Sequence, residues 1–438
     1  MLAASKSKYE EFKIVTENGV FDLYNTPQMR VIQFDYFENI FSGHITGSIQ
    51  ISSGLGVGAS SDDPQSRGQM LSNLLGQASG VVAKIKPTLG PTLDFSSNEY
   101  KFLYVTNYQK INEDSTSETI TLKVASLIAL KNDIQRDGKN YSGNIGDNVI
   151  KILTEELELP ESMIEIDKPV NSWSFYGGNK KPLDILLMMA KQSIPSNTNN
   201  PGYFFFEVKD GFRYVSADAI INSKTYERQT HRYKFNGVNK SSFDEGGEEN
   251  DFKILSLTDE STQSINDLIN IGAYQTKTIF FDPTDYTFTE IDISVVGDGK
   301  LSSLGKKQKI PRVVSEEFKN GKFIGRIQTA ILDTADDKKG RDVNNSPELY
   351  YAATSVRYNI LKSQEYKVRV PCNTNLKAGD TIHIEFESKS DNKIQGPDQT
   401  RSGPYIIQAL CHRFEPNKSI TSMTLMRDSY GLHFTRGK

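Results

Sequence analysis

Period-two alternation in the C-terminal stretch from Tyr366 limits what this chain can fold into more than any other feature of it. Tyr366, Val368 and Val370 alternate with Lys367 and Arg369, and Ile382, Ile384 and Phe386 alternate with His383, Glu385 and Glu387. Successive side chains of a strand point to opposite faces, so this pattern builds strands with one buried and one wet face. Between the two runs stands the turn Leu376-Lys377-Ala378-Gly379-Asp380. After a long polar loop, Ser402-Gly403-Pro404-Tyr405-Ile406-Ile407 opens a strand ending near His412, and a last strand closes with Arg427-Asp428-Ser429. The order predicts a small antiparallel barrel or sandwich. Strict alternation also puts Cys411 on one face with Tyr405, Ile407 and Ala409, as a small buried apolar residue.

A chain of 438 residues exceeds one compact core, and about two to four domains are expected. Phe and Tyr supply nearly all of the aromatic 10%, Trp173 is the single tryptophan, and 37% of residues are hydrophobic, which suits a strand-rich globular protein. The net charge of -4 excludes the broad basic surface with which proteins grip nucleic acid, yet suits a wall past which DNA slides. Two cysteines, Cys372 and Cys411, exclude a disulfide-rich scaffold and a Cys-only zinc site. Met1 to Phe12 is too charged for a signal peptide, and the longest apolar run, Ile185 to Ala190, is too short to span a bilayer. Synthesis in a cytoplasm, without stable membrane association, is the expectation.

Short strands at Phe12–Val15, Met29–Tyr36, His44–Ile51, Tyr100–Asn107 and Glu118–Ile128 predict a first β-barrel over residues 1–135. An insertion at 52–95 interrupts it, opening with Gly54, Gly56 and Gly58. It then carries an amphipathic helix from Met70 to Val82 with Met70, Leu71, Leu74, Leu75 and Ala78 at helical spacing. That stripe either packs on its own barrel or docks on a neighbouring subunit, which makes Met70, Leu71, Leu74 and Leu75 a candidate interface.

The period changes over residues 136–222, an α/β domain. Asp147 is expected to cap a helix with the stripe Val149, Ile152, Leu153 and Leu157; a second helix starts at Pro182, and Tyr203–Val208 with Phe212–Val215 form a hairpin. Beyond residue 260 the polar loops Gly297–Lys309 and Asp333–Asn345 read as solvated. Ser346-Pro347-Glu348 starts a helix with the stripe Leu349, Ala353, Val356 and Ile360.

Few residues point to chemistry. His383, Glu385 and Glu387 share a strand face at a spacing that can hold a metal, but first-row metal sites draw ligands from several elements, and the wet face of an amphipathic strand explains them better. His412 has no Ser or Cys in a nucleophile-elbow setting, so a packed histidine is expected. Gly54-Leu55-Gly56-Val57-Gly58 lacks the helix a dinucleotide loop must open and runs instead into Asp62-Asp63-Pro64. No Walker lysine, HExxH or glycosidase acid pair is present. Catalytic, metal and cofactor sites are therefore expected to be absent.

The terminal pattern resembles the hub proteins of contractile injection machines: phage baseplate central hubs, tail late-control protein D and the hub region of type VI VgrG proteins. The likeness rests on Leu376-x-Ala378-Gly379-Asp380, on Ser402-Gly403-x-Tyr405-x-Ile407 leading to Leu410-x-His412, and on Thr424-x-Met426-Arg427-Asp428-Ser429. Asn171-Ser172-Trp173-Ser174, the Pro182 helix and the aromatic hairpin agree with the middle domain of the phage hub. The resemblance marks Gly379, Asp380, Gly403, Tyr405, His412, Arg427 and Asp428 as structural signature residues.

It implies a mixed, β-rich fold of two tube-like antiparallel barrels with α/β and helix-containing domains between them. The second barrel would be discontinuous, from 223–260 and 366–438, with an inserted domain at 261–365. It further implies a homotrimeric, pseudo-sixfold ring in the virion tail baseplate that joins a threefold central spike to the sixfold tail tube or its initiator, beside neighbouring baseplate proteins. DNA would enter only as cargo in the lumen. The 52–95 insertion is longer than that pattern needs. Two other classes stay open, a tail adhesin binding host glycans through exposed Tyr and Trp, and a tail-associated hydrolase.

Overall fold

In the computed structural model the alternating C-terminal strands continue into the strands of the N-terminal half, while the segments 232–235 and 252–261 that pair with them are bridged to each other at Lys234 and Lys253. The structure describes residues 7–431 apart from 17–18, 26–28, 55–79, 114–116, 198–199, 236–251, 262–263, 284, 295–302, 306–315, 318–324, 333–346 and 388–396. Met70, Leu71, Leu74 and Leu75 lie outside the described residues, as do Gly56, Gly58 and the Asp62–Pro64 turn.

The N-terminal half supplies β1 (Ser7–Thr16), β2 (Gly19–Asp22), β3 (Met29–Asn39), β4 (Thr46–Gly54), β5 (Gly80–Pro87), β6 (Leu93–Asp94), β7 (Leu103–Glu113) and β8 (Ser117–Ser126). One expectation fails at its end: Gly80, Val81 and Val82, placed in the Met70–Val82 helix, belong to strand β5, which pairs with β1 along its length. Val81, Ala83 and Ile85 of this strand are buried in the first core.

Helix α1 (Leu127–Ile134) leads into the middle region: β9 (Asn140–Tyr141), α2 (Ile145–Lys151), β10 (Ile164–Ile166), β11 (Phe175–Tyr176), α3 (Pro182–Gln192), β12 (Tyr203–Val208), β13 (Gly211–Ser216) and α4 (Ala217–Asn222). The cap of α2 is Asn144, whose side chain accepts from the Gly146 N–H at 2.8 Å, and not Asp147, which sits in the first turn paired with Lys168. Val149, Ile152, Leu153 and Leu157 are buried with Ile185, Leu186 and Met189 of α3 in one core.

The remainder comprises β14 (Arg232–Phe235), β15 (Ser256–Ser261), α5 (Ile265–Asn270), β16 (Gln275–Asp282), β17 (Thr287–Ser294), β18 (Arg326–Ile331), α6 (Pro347–Ile360), β19 (Gln364–Pro371), β20 (Thr381–Phe386), β21 (Gly403–Phe414) and β22 (Ser419–Arg427). The expected stripe of α6 holds at Val356 and Ile360 and fails at its start. Leu349 is exposed, while Tyr350, Val356, Arg357 and Ile360 face inward.

Fourteen strands among the described residues join in one sheet, whose main path runs β15-β19-β22-β21-β3-β4-β8-β7-β5-β1-β2. The pairing is antiparallel apart from β14 with β20. The halves meet where β21 runs beside β3, with Leu410 opposite Glu38 and Phe414 opposite Phe34. Two apolar cores lie along this sheet. One gathers Phe12, Phe34, Ile49, Ile85 and Leu122, and also takes Cys372 and Phe414 from the C-terminal half. The other gathers Tyr233, Val368, Ile384, Tyr405 and Leu425.

Strand β21 corrects the placement of Cys411. A bulge between Ile407 and Ala409 adds one residue, Gln408, to its ladder with β22. One extra residue exchanges the faces. Leu410, His412 and Phe414 therefore continue the buried face of Tyr405 and Ile407, and Cys411 turns half-exposed to the opposite side.

Candidate assembly surface and the joints that hold it

The Leu376–Asp380 turn is a joint between three parts of the chain. Gly379 has φ +81°, a region that favours glycine, and a Cβ there would stand 2.6 Å from the tip of the Phe206 ring in β12. Beside it, the Ala378 N–H donates to Glu38 Oε2 at 2.8 Å. Glu38 Oε1 accepts from the Lys209 N–H at 2.8 Å and from the Tyr36 hydroxyl at 2.7 Å. Burial pushes the Glu38 carboxyl up, and these three donors oppose that shift. Gly379 N–H bonds the Ile407 carbonyl at 2.9 Å and Asp380 accepts from the Ile407 N–H at 2.8 Å through its carbonyl, fixing the turn to β21. The Asp380 carboxylate lies 3.3 Å from His231 Nε2 and 3.6 Å from Arg213 Nη1.

A second buried carboxylate lies behind the first. Glu207 Oε2 accepts from the Ile45 N–H at 2.8 Å and the Ser126 hydroxyl at 2.6 Å, and burial pushes its pKa up to about 7, with Glu38 adding to the rise. Sequence reasoning passed over both residues. Glu207 was open to notice, since it interrupts the apolar run Tyr203–Val208.

The closing motif anchors a second set of elements. Gly403, at φ +138°, leaves room for the Arg427 guanidinium, which a Cβ would approach to 2.8 Å. Arg427 is fully buried, donates to the Ser402 carbonyl at 3.2 Å and to the Gly431 carbonyl, and lies 5.1 Å over the Tyr405 ring. The Tyr405 hydroxyl lies 2.5 Å from the Arg401 carbonyl and 3.1 Å from Gln364 Oε1. Asp428 Oδ1 accepts from the Leu304 N–H at 3.0 Å and the Ser429 hydroxyl at 2.6 Å, and its Oδ2 lies 3.8 Å from Arg357 Nη1. Arg357 in turn pairs with Asp218 of α4 at 2.5 Å. The Ser303–Gly305 piece of the stretch read as a solvated loop is thus seated in the protein: Leu304 is buried, and the Gly305 N–H donates to Ser429 Oγ at 2.6 Å. Gly379–Asp380 and Gly403–Tyr405–Arg427–Asp428 form two separate joints, not one site.

His412 belongs to the packing. It is fully buried inside β21, its Nδ1 lies 2.8 Å from Thr421 Oγ1, and its ring stacks on Tyr36. Burial depresses its pKa to about 3, so it stays neutral. His383, Glu385 and Glu387 line the outward face of β20, and no cluster of three or more His, Cys, Asp or Glu fit for a metal occurs among the described residues. Trp173 is stacked on Phe175 against the middle core, not displayed.

What the joints hold is a surface. Residues of the strands from β15 to β4 line a groove of about 820 Å³ that includes Phe37, His44, Lys367, Arg369, Cys411 and Thr424. Serine and threonine side chains of β4, β15 and β22 fill much of the lining. Burial pushes the Cys411 thiol up to about 12, which keeps it protonated and unreactive at neutral pH.

The fold is similar to that of phage tail proteins of known structure. The tail protein of Neisseria meningitidis MC58 matches with a TM-score of 0.52 at 9% identity, over 95% of this chain and 96% of its own. The 43 kDa tail protein of prophage MuSo2 from Shewanella oneidensis also matches at 0.52 and 9% identity, over 96% and 99%. No protein-family model matches. In sequence the chain is a relative of the probable baseplate hub protein gp334 of Vibrio phage KVP40, 20% identical over 316 residues, or 71% of this chain and 73% of that protein. The resemblance read from the terminal motifs therefore holds: the chain is similar in sequence to a probable phage baseplate hub protein and in fold to phage tail proteins. Among the described residues no helix is long and apolar enough to cross a membrane.

Proposed function

We propose that the chain is the structural hub of a contractile-tail baseplate, three copies forming a ring that joins a threefold central spike to the sixfold tail tube around a DNA passage. One observation carries this reading. The eight strands β15-β19-β22-β21-β3-β4-β8-β7 run without interruption across both halves, past a groove that both halves line, and among the described residues the outer edges of β15 and of most of β7 carry no strand partner. Among the described residues β15 pairs only with β19, and β7 meets β5 only at Leu103 and Tyr104. Two different edges on one chain suit head-to-tail contacts that close after a few copies. In this reading the two halves, each with its own core, serve as the two units per copy from which a ring of three approximates sixfold symmetry. The role is mechanical, with no catalytic residue, in contact with spike, tube or tube initiator, and neighbouring baseplate proteins.

Light scattering on the purified chain, alone and with the spike protein encoded nearby, tests the reading. A trimer in either sample is expected, and electron micrographs should show a ring with a central opening. A monomer that ignores the spike would overturn it.

A further inference from the structure

Glu207 closes a clasp between the middle region and the N-terminal half. By strand alternation it continues the face of Tyr203 and Phe205, which lie in the middle core, and so puts a carboxyl at the rim of that core. Its Oε2 accepts from the Ile45 N–H, just before β4, and from the Ser126 hydroxyl at the end of β8. The Ser126 N–H in turn donates to the Ile45 carbonyl at 3.1 Å, so the three residues form a closed circuit of hydrogen bonds. The turn that carries Ile45 rests on the same region: a Cβ at Gly43 would lie 3.4 Å from both Leu183 of α3 and Phe205 of β12.

The charges around the clasp do not balance. The charged group that faces Glu207 is another carboxyl, Glu38 of β3, and no cation acts on Glu207 among the described residues. Other charges of the joint are taken up elsewhere. Asp210 is held by Lys377, Asp380 faces His231 and Arg213, and Arg213 also binds Glu165. Glu38 has the Lys209 ammonium, which burial pushes down. The Tyr36 hydroxyl, pushed well up by burial and by both carboxylates, stays neutral. His44, next to Ile45, is pushed down by burial with Asp133 opposing, and Asp133 is tied to Lys181. Two buried carboxyls that share one ammonium hold one negative charge more readily than two.

We propose that the clasp is a proton-controlled latch. With Glu207 neutral, the β3–β4 turn and the end of β8 are fastened to the middle region. With Glu207 ionised beside Glu38, the clasp opens and the turn lifts from Leu183 and Phe205 while the rest of the sheet stays folded. Closed, the carboxyl stands at about 7; open to water it returns to the ordinary 4.5. Closure is therefore fully present below about pH 4.5 and is lost as pH rises to 7. Glu38 is raised as well and acts in the same sense, whereas the depressed His44 and Lys209 act in the opposite sense and cannot produce that loss. The latch does not depend on the ring reading.

Hydrogen exchange of the full-length chain from about pH 5 to 8, with each rate divided by its intrinsic value, tests it. Protection of segments 40–47 and 124–128 should lie below that of the β19 core around Val368. It should fall by roughly fiftyfold or more over that range. Glu207→Gln should remove the fall, because the amide still accepts from Ile45 and Ser126 but cannot ionise. Glu38→Gln should lessen it. A flat wild-type profile would overturn the latch, and so would protection equal to that of the core at every pH, which means opening only by global unfolding. A Glu207→Gln profile that falls as steeply as the wild type's would assign the effect to another group and sink the proposal.

Discussion

Glu38 and Ala378 touch across 340 positions of sequence: the carboxylate accepts the Ala378 N–H at 2.8 Å, inside a protein where Glu38 is 1% exposed. A buried acceptor in the N-terminal half thereby fixes a signature turn of the C-terminal half. The same carboxylate also holds the β12–β13 hairpin through the Lys209 N–H.

Removal of that carboxylate leaves the N–H groups of Ala378 and Lys209 and the Tyr36 hydroxyl buried without an acceptor. Each unsatisfied group costs about 1–3 kcal/mol. Glu38→Ala should therefore destabilise the protein by about 3 kcal/mol or more, and Glu38→Gln by less, as measured by urea unfolding. Equal losses in the two variants would contradict this account.

Gly379→Ala combines a disfavoured backbone conformation with a clash against the Phe206 ring. Such substitutions cost roughly 2 kcal/mol or more. Phe206→Leu in the same chain should recover the steric share but not the backbone share. Thermal melts of the two single variants and the double variant separate the shares.

Arg357→Met removes the partner of Asp218 and a neighbour of Asp428, both buried. An orphaned buried charge costs about 3–5 kcal/mol. The expected outcome is a large fall in the unfolding midpoint, with much of it regained in Arg357→Met/Asp218→Leu. Little change in the single variant would show that the pair is weakly held.

The pH dependence of stability should reveal Glu207. Its folded pKa, about 7, is above the ordinary 4.5, so its contribution is fully present below about pH 4.5 and is lost as pH rises through 7. Between about pH 5 and 8 the wild type should lose roughly 2–3 kcal/mol that Glu207→Gln does not. Parallel stability curves for the two proteins would count against the burial argument.

His412 acts at the other end of the scale. Its folded pKa, about 3, is below the ordinary 6.5, so its contribution is present above about pH 6.5 and lost as pH falls toward 3. His412→Gln should flatten the acid limb of the stability curve. An unchanged limb would assign acid sensitivity to other groups.

Which strand faces of the C-terminal half are wet is already written in the alternation of its residues. Tyr366, Val368, Val370, Ile382, Ile384 and Phe386 are buried where alternation put them. The sequence also marked the Pro182 helix and the aromatic hairpin, because periodicity, proline and turn chemistry act over a few residues and are legible locally. Tertiary structure alone decided the rest. One extra residue in β21 reversed the face of Cys411, and the β3–β21 pairing merged the two halves into a single sheet. Glu38, Glu207 and Leu304 are buried only because distant segments supply their partners. A hydrophobic pattern records on which side a residue lies; a bulge or a donor hundreds of residues away leaves no trace in that pattern.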